Sequence, residues 1–115
     1  MPISLYLPIS ISTYIAMEAL VEAKLTRHIG VCNFNVQLLS DILSYCVIPP
    51  YCNQVELHPY LPQTALVEFC IRNSIKVVAF SPFGGMSYVE LGVPKELGGG
   101  LLNESLISTI GKKYK

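Results

Sequence analysis

Charge is scarce in this sequence, and neither sign prevails. Only 14% of its 115 residues are Asp, Glu, Lys or Arg, and eight basic residues balance eight acidic ones. With no net field to attract them, neither nucleic acid nor an anionic membrane surface is expected as a partner. No stretch reaches the ~18 consecutive apolar residues of a membrane span. The apolar segment Met1–Ile11 has no basic flank and contains Pro2 and Pro8, which argues against a secretory signal. Cys32, Cys46, Cys52 and Cys70 show neither CxxC spacing nor a histidine at finger-like distance, so no metal site is expected. Cysteines this sparse do not make a disulfide scaffold, and isolated thiols in apolar runs behave as small core residues. A reducing, cytoplasmic compartment follows. The patterns GxSxG, GxxxxGKS/T, GxGxxG and HExxH are all missing, and Gly98-Gly99-Gly100 alone reads as a flexible loop.

Apolar residues, at 51%, are abundant for a small domain with both faces wet, and strands covered on both sides would explain the excess. From Thr13, which can cap a helix start, Ala16, Met17, Leu20, Val21 and Leu25 recur at helical spacing and predict one buried stripe. Ile29-Gly30-Val31 reads as a short buried strand, and Asn33-Phe34-Asn35 as a turn. Asn35 can cap a second helix with the stripe Val36, Leu39, Ile42 and Leu43, which Pro49-Pro50 prevents from continuing. Cys52 to Leu57 alternates, with Gln54, Glu56 and His58 on one face and Asn53, Val55 and Leu57 on the other, so a strand with polar inward candidates is expected. A proline-stiffened loop at His58–Pro62 leads to a third helix over Thr64 to Asn73 carrying Leu66, Val67, Phe69 and Cys70. Ile75 to Phe80 is continuously apolar, as parallel strands are, and Ser81-Pro82-Phe83-Gly84-Gly85 ends it. A long glycine-rich segment from Gly84 to Gly100 precedes a last helix with Leu102, Leu106, Ile107 and Ile110.

Strands that alternate with helices join in parallel through right-handed crossovers. The expected fold is therefore α/β, a partial (β/α)8 TIM barrel of about three parallel strands and four helices. A closed barrel takes about 250 residues, so the chain reads as one partial domain over residues 1–115, truncated at both ends. In such barrels chemistry sits at the C-terminal ends of strands, which singles out Cys32-Asn33, Gln54 to His58, and Phe80-Ser81.

Three stretches at those ends carry a resemblance. Ile29-Gly30-Val31-Cys32-Asn33-Phe34-Asn35, Asn53-Gln54-Val55-Glu56-Leu57-His58-Pro59-Tyr60 and Ala79-Phe80-Ser81-Pro82-Phe83-Gly84 closely resemble the aldo-keto reductases in order and spacing. The likeness covers about residues 8 to 115, and Phe83–Leu91 looks most like the xylose and aldose reductase branch. The resemblance implies an oxidoreductase that uses NADPH or NADH to reduce a small aldehyde or ketone to an alcohol. It places Cys32, Asn33 and Gln54 at the nicotinamide carboxamide, where an amide needs the paired donors and acceptors that Asn and Gln provide. Taken singly, Asn33 reads as a turn residue and Gln54 as a satisfied core polar group; the joint motif outweighs both readings. Cys32 stands where the family usually has Ser, and a weakly donating thiol there costs roughly 0.5–1.5 kcal/mol; the rival reading is a small packed residue. Phe80 replaces a Tyr whose ring lies against the nicotinamide, a role that needs the aromatic face more than the hydroxyl. Ser81, Phe83 and Gly84 match the pyrophosphate-facing loop, and Glu90 a carboxylate that reaches the adenosine ribose or, equally, a solvated loop acid.

His58 looks like a general acid by its position at the rim, but in the matched motif it is a structural residue. The family's proton-donating Tyr and its supporting Asp, Lys and His have no counterpart here, so no catalytic residue is assigned to this chain. Two functions are weighed. One is a carbonyl reductase of which this chain supplies the nicotinamide-holding wall while being inert alone; the other is a non-catalytic truncated or regulatory binding module. Three open strands leave two unpaired edges, so the isolated fragment is expected to self-associate or to need a complementary chain.

Overall fold

The computed structural model describes residues 6–84, 91–92 and 101–114. Within them run α1 (Tyr6–Glu22), β1 (Val31–Cys32), α2 (Val36–Tyr45), β2 (Cys52–Glu56), α3 (Thr64–Arg72), β3 (Lys76–Phe80), a short 3-10 turn (Leu101–Asn103) and α4 (Ser105–Tyr114). The strands form one parallel sheet in the order β1-β2-β3, with Val31 opposite Asn53 and Cys32 opposite Gln54. Strand, helix, adjacent parallel strand is the repeating unit of a (β/α)8 barrel, of which the sheet supplies three strands. The described residues fall into two compact units, one within Met1–Val55 and Thr64–Val78, the other within Glu56–Gln63 and Ala79–Lys115.

The first unit is organised by what lies under the sheet. Asn53 and Val55 alternate inward from β2 and are buried, while Gln54 between them is exposed. Against that face α2 buries Leu39 and Ile42, and α3 buries Leu66 and Cys70, each pair one helical turn apart. Asn35 caps α2 as its side chain predicts, its Oδ1 accepting from the Leu38 amide at 2.9 Å. Gly30 admits β1 close to β2: a Cβ there would lie 2.7 Å from the Cys52 sulfur and 2.8 Å from its carbonyl oxygen. At the other ends of the strands the rings of His28 and Tyr51 stack 4.2 Å apart.

α1 departs from the sequence expectation twice. It starts at Tyr6, so Thr13 lies inside it and is not its N-terminal residue; Pro8 falls in the first turn, where its missing N–H would have had no helical acceptor. Its buried face is Tyr14 and Glu18 with Val21 beside them, whereas Met17, Leu20 and Leu25 of the expected stripe are exposed. The helix is apolar nearly all round, so spacing alone gives it no phase. Polar anchoring sets the phase instead. Tyr14 donates its hydroxyl to the Ile48 carbonyl at 2.9 Å, and Glu18 Oε1 accepts from the Val47 and Ile48 amides at 2.7 and 2.8 Å. Burial pushes the Tyr14 hydroxyl far above the ordinary tyrosine value, with Cys46 and Glu18 adding to it. The same burial raises the Cys46 thiol. All four cysteines are free; Cys70 is buried as a core residue, but Cys32 is exposed.

In the second unit, α4 begins after the 3-10 turn, so Leu102 belongs to that turn and not to the helix. Leu101 is buried, while Leu106 and Ile110 are exposed along α4.

Candidate functional site

β1 ends at Cys32, and the next residue turns the chain toward α2. Asn33 does so in the left-handed region, at φ 59°, a conformation that costs a non-glycine residue of order 1–3 kcal/mol and that Asn tolerates better than most. Both of its flanking peptides are held. The Asn33 amide donates to the Gln54 carbonyl at 2.8 Å, as the last bond of the β1–β2 ladder. Beyond it, the Phe34 amide donates to Asn53 Oδ1 at 3.3 Å and Asn53 Nδ2 donates back to the Phe34 carbonyl at 2.8 Å.

Cys32 and Gln54 are register partners, and partners in a parallel pair project from the same face of the sheet. That is the face opposite buried Asn53 and Val55. Cys32, Asn33 and Gln54 are all exposed. The fold therefore brings three of the expected site residues together at two adjacent strand ends, as a thiol and two carboxamides.

The other expected residues belong to the second unit. β3 ends at half-buried Phe80, whose carbonyl accepts from the Leu57 amide at 3.3 Å. Ser81 is left-handed at φ 48°, and a tight turn is closed by the Gly84 amide donating to the Ser81 carbonyl at 2.9 Å. Gly84 itself sits at φ 79°, where a side chain would be strained. Phe83 at the turn's tip is exposed, while Ser81 and Gly84 are half-buried. Glu90 lies outside the described residues.

Beside this turn in the sequence of the second unit's elements, the His58–Leu61 loop is tied by two reciprocal backbone bonds, His58 to Leu61 at 3.3 Å and Leu61 to His58 at 2.8 Å. The His58 ring is buried, with Nε2 3.2 Å from Glu56 Oε1 and no partner at Nδ1 among the described residues. Gln63 Nε2 donates to the Glu56 carbonyl at 2.6 Å. Tyr60 hydrogen-bonds Glu104, which holds its phenol above the ordinary value.

Two features escaped the sequence reading. Asn53 was expected only as one residue of the strand's second face, and it is a fully buried carboxamide with both ends engaged on Phe34. A polar residue between apolar neighbours on the covered face was the available signal. The Tyr60–Glu104 bond joins residues far apart in sequence and left no local trace.

The sequence profile of the Aldo/keto reductase family matches residues 6–93. The chain is 43% identical over 103 residues to an NAD(P)H-dependent D-xylose reductase of Aspergillus niger, covering 89% of this chain and 32% of that protein. It is 55% identical over 78 residues to aldose reductase C of Dictyostelium discoideum, covering 67% and 24%. Among solved structures it superposes with a TM-score of 0.76 on an aldo-keto reductase of the silkworm, Bombyx mori, complexed with NADPH, at 37% identity over 90% of this chain and 31% of that one. The chain thus spans between about a quarter and a third of the length of the relatives it matches.

Proposed function

The chain belongs to the aldo/keto reductase family, and from that membership we propose that it is the nicotinamide-holding wall of an NAD(P)H-dependent reductase of small aldehydes or ketones, aldoses among them. One observation carries the reading: Cys32, Asn33 and Gln54 stand exposed together at adjacent strand ends, with Asn33 fixed in a strained conformation. Such strain persists where the surroundings over-determine it, and it collects at functional sites. Two carboxamides and a thiol form a donor and acceptor set that fits a primary amide such as the nicotinamide carboxamide. The bound cofactor would supply a hydride to the substrate carbonyl carbon. The chain's own residues bind and orient: Asn33 and Gln54 hold the amide, Cys32 adds a weak donor, and Phe80 offers an aromatic face. In the second unit Ser81, Phe83 and Gly84 form a turn whose amides and hydroxyl suit phosphate oxygens, and Glu90 is proposed for the ribose.

No residue of this chain is proposed as the proton donor, so the isolated polypeptide should bind cofactor weakly and turn over nothing. General acid catalysis alone contributes ~10²–10⁴ in rate. Titrating the chain with NADPH should give saturable binding that Gln54→Ala weakens by up to about tenfold, the worth of one neutral hydrogen bond. Equal binding by the variant would overturn the assignment of the wall, and steady oxidation of NADPH with an added aldehyde would overturn the inert reading.

A second reading rests on the sheet. Among the described residues β1 and β3 each have a single neighbour, and the face bearing Gln54 and Cys32 is exposed, which suits a non-catalytic module that self-associates or pairs with a complementary chain. Sedimentation separates the two, because a stable monomer argues against such pairing. A reducing, cytoplasmic compartment is proposed from the sparse cysteines of the sequence. Among the described residues no helix is long and apolar enough to cross a membrane.

A further inference from the structure

Between the last ladder bond of β1 and the first hydrogen bond of α2, one residue has backbone groups that neither element can satisfy. The ladder ends with the Asn33 amide on the Gln54 carbonyl, and α2 begins with the Leu39 amide on the Asn35 carbonyl. Phe34 lies between, with its N–H and its C=O both outside the regular pattern. Partly buried backbone groups of this kind need partners from elsewhere. Asn53 supplies both from one side chain, its Oδ1 accepting from Phe34 N–H and its Nδ2 donating to Phe34 C=O. The carboxamide acts as an extra peptide unit that carries the ladder one residue past the end of the strand.

The consequence falls on Asn33. Its left-handed φ is enforced because the peptide before it is fixed by Gln54 and the one after it by Asn53. Asn53 is fully buried and cannot itself reach a ligand on the exposed face. Resting on the reading that Asn33 holds the nicotinamide carboxamide, we propose that Asn53 is the positioning residue of that contact: its two bonds to Phe34 aim the Asn33 side chain at the amide of the cofactor.

The test is a chemical cycle on the full chain. Binding of NADPH is compared with that of its 3-acetylpyridine analogue, in which a methyl group replaces the carboxamide nitrogen, by isothermal titration. The wild-type chain should prefer NADPH by roughly three- to tenfold, the worth of one hydrogen bond. Asn53→Leu, of similar size but without either bond, should bring that preference to about one. Leu66→Ala, which removes a buried side chain of α3, should lower stability while keeping the preference, so that loss of stability alone does not mimic the effect. Asn53→Asp, which keeps the acceptor for Phe34 N–H and loses the donor, should fall between the two and carries the test should the leucine variant not fold. A preference as large as the wild type's in folded Asn53→Leu or Asn53→Asp overturns the inference and leaves the proposed function standing. A wild-type chain with no preference overturns the functional reading instead. On the wild type alone, the side-chain amide protons of Asn53 should exchange slowly with solvent; fast exchange would mean that the bonds to Phe34 do not hold, which also overturns the inference.

Discussion

At the end of β1 the Asn33 amide and both backbone groups of Phe34 find partners inside the first unit, whereas in the second unit the buried ring of His58 leaves one nitrogen without any among the described residues. Both regions follow a strand end and both contain a left-handed non-glycine residue, Asn33 in one and Ser81 in the other. They differ in what enforces it. Asn33 is gripped on both sides by groups that sequence-distant residues of β2 provide, while Ser81 is closed by a turn of its own making through Gly84. Strain that is over-determined by tertiary contacts is stiff, and strain held by a local turn yields more readily. The first region is thus a preformed wall and the second a set of local loops.

The change that should damage this contrast most is Gly30→Ala. The new methyl group would overlap both the sulfur and the carbonyl oxygen of Cys52, forcing β1 from β2 and lifting Asn33 from Gln54. A loss of about 2–3 kcal/mol is expected from such overpacking, read from urea unfolding. A mixed probe set sharpens the result: amide exchange should quicken around Asn33 and Phe34 and stay unchanged around Ser81 to Gly84.

Glu18→Gln is expected to cost less, about 1–2 kcal/mol, because the charge-assisted part of two partly buried hydrogen bonds is lost while size is kept. The same urea titration reads it, with its effect confined to the first unit, where Val47 and Ile48 lose a partner of full charge.

The smallest effect is expected from Tyr60→Phe in the second unit, on an exposed side chain. It should leave the unfolding midpoint nearly unmoved and quicken exchange at the start of α4, beside Glu104. The pH dependence has a definite sign. Because the Glu104 bond raises the folded value of the Tyr60 phenol, the bond's contribution is complete below the unfolded tyrosine value of about 10 and is lost as pH rises through the folded one. Ultraviolet titration should show one tyrosinate fewer appearing late in Tyr60→Phe than in the wild type.

Much of this was legible in the residues. The order of elements and the cap at Asn35 follow from local periodicity and capping chemistry, while the meeting of Cys32 with Gln54 was implied by the family resemblance. α1 was misjudged because an almost uniformly apolar helix offers no phase, and the phase is set by bonds to residues 47 and 48. Asn53 was legible only as a polar residue on the strand's second face, not as a clamp, since the backbone it satisfies belongs to another strand's end. The roles of the site residues came from resemblance, which local pattern alone does not supply.

Glu18 has a further consequence in time. Its two amide donors come 29 and 30 residues later in the chain. On a ribosome, which releases ~5–20 residues each second, α1 would emerge as a free helix with a solvated carboxylate and would wait a second or more before Val47 and Ile48 arrived to give it a seat. Until then its apolar surface has no fixed side to hide. During synthesis, the carboxylate of α1 is therefore in place before the amides that seat it.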